Sequence, residues 1–99
     1  MTIHRTKEGG VETFVLEGRL DTTTSPQLHE ALLPAIDGSA DLLLDFSGLV
    51  YVSSAGLRVL LAAQKESAKR GVEMKLQGVS AEIMEVFDMT GFSDILTIL

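Results

Sequence analysis

The stretch Ala-Asp-Leu-Leu-Leu-Asp-Phe at residues 40–46 decides the fold class. Its three leucines stand together between two aspartates, without alternation of polar and apolar side chains. The pattern is typical of a strand inside a parallel sheet, because a strand with one wet face alternates. We therefore expect residues 40–46 to form a central strand of a largely parallel sheet, covered on both faces.

The segments before this strand predict two strands and a helix. Alternating β-branched and aromatic residues indicate a hairpin that turns at Gly9-Gly10, with strands at 2–6 and 11–17. A helix is expected at 25–36, with Ser25 as its cap and a bend near Pro34.

The segments after the central strand continue the alternation. We expect a helix from Ser53 or Ser54 to Gly71, a strand at 72–76, a helix from Ser80 to about 88–91 and a last strand within 95–99. The link 47–53 is expected to be irregular and to carry function. The order β-β-α-β-α-β-α-β predicts an α/β fold, with about five strands in a mostly parallel mixed sheet and helices packed on it.

Composition excludes several classes of function. With 99 residues, 45% of them hydrophobic, the chain is expected to form one domain over residues 1–99. Eight basic and 14 acidic side chains give a net charge of −6, which disfavours nucleic acid as a partner. Cysteine is absent, which fits a reducing compartment, and no apolar run reaches the roughly 18 residues of a membrane span. We therefore expect a cytoplasmic protein that does not insert into membranes.

Metal and nucleotide sites are not indicated by any motif. His4 and His29 are far apart in the sequence and belong to no H-x-x-x-H arrangement. Neither G-x-x-x-x-G-K-(S/T) nor G-x-G-x-x-G occurs in the chain. We therefore predict no metal ligands and no cofactor.

Two serines at the start of the second predicted helix, Ser53 and Ser54, are candidate functional residues. The commonest role for a serine in this place is a plain helix cap. A serine hydrolase would need a G-x-S-x-G turn and a histidine base, but glycine is absent two positions before either serine. A third role, as a phosphoacceptor, is physically favourable.

Phosphorylation suits a hydroxyl at the start of a helix. The free N–H groups and the positive end of the helix dipole accept an anion, so the phosphate would not unfold the domain. It would add about −1.5 to −2 charges to a surface that is expected to carry Asp21 as well. Repulsion across an interface costs several kcal/mol, or a hundredfold or more in affinity. One side chain would then act as a binary switch.

Three blocks of the sequence resemble the bacterial anti-sigma factor antagonists, which are stand-alone members of the STAS domain family. They are Gly-x-Leu-Asp at 18–21, the segment 45–57, and Phe-Asp-Met-Thr-Gly-Phe at 87–92, in the family's order. In the family's Asp-Ser-(Ser/Thr)-Gly-Leu pattern the phosphoacceptor serine stands two residues before Gly-Leu, and Ser54 occupies that position. Ser53 replaces the family's acidic residue, and Ala55 replaces its second hydroxyl residue.

The resemblance implies a partner switch without catalysis by this chain. The unphosphorylated antagonist would bind a GHKL-type anti-sigma factor serine kinase and free a sigma factor. The kinase would end the complex by phosphorylating Ser54 with ATP, and a serine phosphatase would reset it. Asp21 matches the family's acidic residue at the partner interface, and the residues that we expect to bind the partner are Asp21, Thr22, Thr23, Ser53, Ser54, Gly56 and Leu57.

Several of these residues have a structural explanation as well. From the residues alone, Asp21 is equally well a turn-forming or capping aspartate. Gly56 would permit close approach of either the partner or the sheet. Leu57 lies in the apolar stripe of its helix, which favours burial in the core.

A second function is compatible with the same family. The chain could be a scaffold or regulatory subunit that binds a transporter or membrane complex without phosphorylation. A neighbouring gene for a GHKL kinase or a sigma factor would favour the switch, whereas neighbouring lipid-transport genes would favour the scaffold.

Overall fold

A computed structural model describes residues 1–99 as five strands and three α-helices. The elements are β1 (Thr2–Glu8), β2 (Val11–Leu20), α1 (Ser25–Leu32), β3 (Asp41–Val52), α2 (Ser54–Arg70), β4 (Met74–Gln77), α3 (Ala81–Thr90) and β5 (Thr97–Ile98). Short 3-10 helices, Leu33–Ala35 and Phe92–Asp94, follow α1 and α3. The predicted element order is confirmed.

The strands lie side by side in the order in which they occur in the sequence. β1 is antiparallel to β2, and β2, β3, β4 and β5 are parallel neighbours. Every crossover therefore steps in the same direction across the sheet. Because such crossovers are right-handed, they place all three helices on the same face.

The sheet consequently has one buried face and one partly open face. On β3, Leu42, Leu44 and Phe46 are at most 1% exposed. Leu43 and Asp45, which alternate with them, are only half-buried. The prediction that this strand is covered on both faces is therefore wrong, although the prediction of a mostly parallel sheet is confirmed.

The helices close a single hydrophobic core over the buried face. Leu28 from α1, Leu60 from α2 and Phe87 from α3 are fully buried in it. The rings of Phe46 and Phe87 are 6.3 Å apart and tilted by 52°. These contacts hold α2 firmly against the sheet, which positions its first turn.

β2 and β3 extend further than the sequence predicts. β2 reaches Leu20 and β3 reaches Val52, so most of the segment 47–53 is strand rather than the irregular link we expected. Leu49 and Val52 are buried, and their pairing with β2 supplies the hydrogen bonds that an irregular link would lack. Because β4 ends opposite Asp45, the ends of β2 and β3 project beyond the rest of the parallel sheet.

The ends of α2 and α3 follow the predicted signals. Ser53 and Ser80 each accept a hydrogen bond from the backbone N–H three residues on. Gly71, with a φ of 71°, adopts the left-handed conformation that ends α2.

Four further elements differ from their predicted bounds, and the first is β1, which continues to Glu8 instead of ending at residue 6. Ser25 is the first residue of α1 but not its cap; the capping position is Thr24, and the Ser25 hydroxyl instead donates to the carbonyl of Asp21. α1 ends at Leu32, and the chain tightens into a 3-10 turn around Pro34. β4 and β5 are shorter than the predicted strands at 72–76 and 95–99.

Candidate functional site

The carboxyl ends of β2 and β3 bring the two motifs of interest together. Leu20 is in register with Val52, so Asp21 and Ser53 leave the sheet at the same edge. The backbone N–H of Ser53 donates to the carbonyl oxygen of Leu20 at 2.9 Å, which ties the start of α2 to the end of β2. In open α/β sheets the carboxyl ends of parallel strands are the usual place for binding.

Ser53 caps α2. Its backbone is extended, with φ −90° and ψ 173°, and its side-chain oxygen accepts a hydrogen bond from the backbone N–H of Gly56 at 3.3 Å. This satisfies one of the N–H groups that the first turn of a helix leaves without a partner. The capping role therefore belongs to Ser53 and not to Ser54.

Ser54 is left free for another role. It is the first residue of α2, its side chain is exposed, and its hydroxyl makes no hydrogen bond within the protein. Since the preceding residue already caps the helix, nothing in the local structure requires a hydroxyl at position 54. The capping role that explains most serines in such places does not explain this one.

Asp21 organises the turn between β2 and α1. One carboxylate oxygen accepts hydrogen bonds from the backbone N–H groups of Thr23 and Thr24, both at 3.0 Å. These bonds, led by that from Thr24, hold the pKa of Asp21 below its ordinary value, and Arg19 at 3.7 Å contributes to the same effect. The carboxylate is therefore ionised at neutral pH. The structural explanation of Asp21 is confirmed, and its side chain stays partly exposed.

Thr22 and Thr23 lie beside Asp21 with exposed side chains. Together with Ser53 and Ser54, these residues form a polar surface that we call the switch edge: Asp21, Thr22, Thr23, Ser53 and Ser54. Five of the seven residues assigned to partner binding are thus neighbours on one rim of the sheet.

The other two residues, Gly56 and Leu57, face inward. A Cβ atom at Gly56 would lie 2.7 Å from Cγ of Leu20, so this glycine serves the close approach of α2 to the sheet. Leu57 is 8% exposed and belongs to the core. In the free protein both residues are buried, so each has a structural role, and their assignment to partner binding stays a prediction.

A groove between α1 and α2 adjoins the switch edge and was not predicted. Its volume is about 510 Å³. It is lined by Thr22, Ser25, Pro26, His29, Glu30, Ala55, Arg58, Val59 and Ala62. The small side chains at every third or fourth position of α2 keep it open, a spacing that the sequence does show.

An apolar and cationic patch lies on the other side of the switch edge. Val50 and Tyr51 near the end of β3 are 69% and 41% exposed. The guanidinium of Arg19 sits over the Tyr51 ring at 4.2 Å from its centroid. The sequence predicted only a short apolar link here, because the pairing that turns these residues outward involves the distant strand β2.

The capping role of Ser53 makes a prediction about stability. Ser53→Ala should lower the free energy of unfolding by about 1 kcal/mol, because the Gly56 N–H loses its acceptor. Ser53→Asp should retain the parent stability, since an aspartate caps equally well and its charge favours the helix N-terminus. Urea unfolding followed by circular dichroism measures both. Equal stability of the alanine variant and the parent would show that the 3.3 Å contact contributes nothing.

The amino-acid sequence is similar to those of known proteins. The family model described as STAS domain matches residues 2–99. The anti-sigma-B factor antagonist of Bacillus subtilis is 34% identical over 83 residues, which cover 84% of this chain and 76% of that protein. The chain belongs to the STAS domain family.

Solved structures of other proteins superpose closely on this one. A putative anti-sigma factor antagonist from Thermotoga maritima gives a TM-score of 0.88 at 14% identity, covering 97% of this chain and 84% of that one. The Bacillus cell fate determinant SpoIIAA in its phosphorylated form gives 0.77 at 19% identity, covering 99% and 91%. The predicted α/β architecture is confirmed as a STAS fold.

Other kinds of site are not found on this STAS domain. No group of three or more His, Cys, Asp or Glu side chains is arranged to hold a metal ion. None of its helices has both the length and the apolar character needed to cross a membrane.

Proposed function

We propose that this protein is an anti-sigma factor antagonist that binds an anti-sigma factor serine kinase and is released when Ser54 is phosphorylated. The observation that carries the proposal is the exposed, unbonded hydroxyl of Ser54 at the first residue of α2. The relationship to the anti-sigma-B factor antagonist of Bacillus subtilis supports it. In this role the STAS domain is a substrate and a binding module, and it catalyses nothing.

A phosphate on Ser54 is compatible with the fold. The first N–H groups of α2 have no acceptor within the helix, and the helix dipole is positive at this end. Ser53 continues to cap the helix, so the modification breaks no hydrogen bond. Phosphorylated SpoIIAA, which shares this fold, is a precedent for a STAS domain that carries a phosphate.

The phosphate would change the surface that a partner meets. Asp21 is already ionised on the switch edge, and its charge is only partly balanced by Arg19 at 3.7 Å. A dianion on Ser54 adds about two further negative charges at the same rim. A partner with an acidic or tightly packed surface opposite Ser54 would lose contact through repulsion and desolvation.

Two enzymes, a kinase and a phosphatase, act on this protein in the proposed cycle. A GHKL-type kinase transfers the γ-phosphoryl group of ATP to the oxygen of Ser54, and ADP and the hydroxyl proton are released. A serine phosphatase adds water across the phosphoester and returns the serine and inorganic phosphate. Sigma factors act in the bacterial cytoplasm, so the proposal places the protein there.

Recognition by the kinase must tolerate Ser53 where the family has an acidic residue. The capping role supports this tolerance, because Ser53 accepts the hydrogen bond that an aspartate would accept. The negative charge is supplied nearby by Asp21 across the Leu20–Ser53 backbone contact. We propose that the partner contacts Asp21, Thr22 and Thr23 together with the two serines.

The proposal is tested by a labelling reaction. The protein, its GHKL kinase and radiolabelled ATP should give one phosphate per chain, mapped to Ser54 by mass spectrometry. Ser54→Ala should abolish the label, while Ser80→Ala, at the cap of α3, should keep it. Label on Ser53 would move the site by one residue. No label with an active kinase that binds the protein would favour a STAS scaffold that works without phosphorylation.

A further inference from the structure

Arg58 is an arginine without a partner. The chain has four arginines. Arg5, Arg19 and Arg70 each lie within 4 Å of a carboxylate, whereas Arg58 has no ion pair and no side-chain hydrogen bond. It is exposed, and it lines the groove between α1 and α2.

Arg58 is also one helical turn after Ser54. Residues four apart on a helix are surface neighbours, about 5–6 Å apart at their Cβ atoms. Side chains on a helix lean toward its N-terminus, so a long side chain at position 58 extends back over position 54. An anion that precedes a cation by four residues is the favourable order of such a pair.

We propose that Arg58 binds the phosphate on Ser54 and holds it over the groove between α1 and α2; this rests on the proposed function for the phosphorylation itself. The planar guanidinium donates two parallel hydrogen bonds to phosphate oxygens. The backbone N–H groups in the first turn of α2 face the same phosphate. Without the phosphate, Arg58 forms no ion pair, since no carboxylate lies within 4 Å of its guanidinium.

The other charged groups near Arg58 do not compete strongly with the phosphate for its guanidinium. Asp21 on the turn before α1 is occupied by the N–H groups of Thr23 and Thr24, and it pairs with Arg19. From α1, Glu30 and His29 face the groove, but neither is within ion-pair distance of Arg58. The phosphate dianion is therefore the strongest acceptor that Arg58 can meet.

The consequence is a reversal of charge on the groove rim. The free Arg58 contributes a positive charge there, and the paired phosphate leaves a net negative charge at the same place. A partner surface that tolerates Arg58 would then meet the opposite sign. Phosphorylation would thus change the groove as well as the switch edge.

The test uses protein with phosphoserine inserted at position 54 during translation, so that it does not depend on any kinase. The second pKa of the phosphate is followed by phosphorus NMR at low ionic strength. A neighbouring cation favours the dianion, so removing it raises this pKa. Arg58→Gln should raise it by about 0.3 to 0.6 units, and Arg58→Lys by less.

Lys65→Gln is the matched control, because it removes a cation from the same helix far from Ser54. It should shift the phosphate pKa by less than about 0.1 units. Because His29 lines the same groove, each comparison of a variant with its parent is also made in a His29→Gln background. Equal shifts in the Arg58→Gln and Lys65→Gln proteins, or no shift in either, would overturn the pairing. Either outcome leaves the labelling of Ser54 by a kinase untouched, so the two proposals fail separately.

Discussion

Ser54→Asp is expected to weaken binding to the anti-sigma factor kinase by a hundredfold or more, while Ser54→Ala binds as the parent does. The aspartate places a fixed negative charge at an exposed position of the switch edge, beside the ionised Asp21. Alanine removes only a hydroxyl that makes no hydrogen bond in the free protein. Isothermal titration calorimetry with the kinase and ADP measures both affinities.

Ala81→Asp is the matched control for this experiment. Ala81 is the exposed first residue of α3 and follows the capping Ser80, as Ser54 follows Ser53 in α2. The Ala81→Asp variant adds the same charge in the same local setting, but at the start of α3, which follows β4, whereas Ser54 follows β3. It should leave the affinity within about threefold of the parent. Equal losses from Ser54→Asp and Ala81→Asp would mean that net charge, and not the position of Ser54, governs binding.

The second large effect concerns the contact that positions Ser54. Leu20→Ala should lower the free energy of unfolding by about 3 kcal/mol, because the side chain is fully buried. Gly56→Ala should cost about 1–2 kcal/mol, since its Cβ would lie 2.7 Å from Cγ of Leu20 and 3.2 Å from its carbonyl oxygen. Urea unfolding of the two variants and the parent gives these values.

The double variant Leu20→Ala/Gly56→Ala tests whether the close approach of Gly56 to Leu20 causes the loss of stability in Gly56→Ala. With Leu20 shortened, the new methyl group at position 56 occupies space that the leucine vacated. The double variant should therefore lose less than the sum of the single losses, by about 1 kcal/mol or more. Gly56→Ala combined with Leu76→Ala, a fully buried residue of β4 rather than β2, should be additive. Additivity in both pairs would show that the Leu20 contact does not constrain the start of α2.

Local signals in the sequence predicted most of the elements. The capping role of Ser80 and the end of α2 at Gly71 depend on residues within a few positions of each other, and both are confirmed. The order of strands and helices also predicted a parallel sheet, because crossovers of this kind leave few alternatives. The exposed serine was found for the same reason, as it lies next to a clear helix start.

Features that depend on distant segments were missed. The extension of β3 to Val52 requires pairing with β2, and the sequence around Val52 alone reads as a link. The inward role of Gly56 depends on Leu20, which lies 36 positions earlier. The groove beside Arg58 exists because α1 packs next to α2, and no local sequence pattern predicts that contact.

For the strand at 40–46, the predicted type of sheet is correct, but the predicted burial of both faces is not. Its leucines indicated a parallel sheet, and the sheet is mostly parallel. The expected cover on both faces is absent, since strands in sequence order force all crossover helices to one face. Only the order of strands in space, which the hydrophobic pattern does not encode, decides this point.

The central claim is that one phosphate on Ser54 ends the complex with the kinase. The most direct measurement titrates the kinase, in the presence of ADP, with a single preparation of this protein before and after phosphorylation at Ser54. We predict that affinity falls by at least a hundredfold and returns when a phosphatase removes the group. Equal affinity of the two forms, with the phosphate verified on Ser54 by mass spectrometry, would contradict the account.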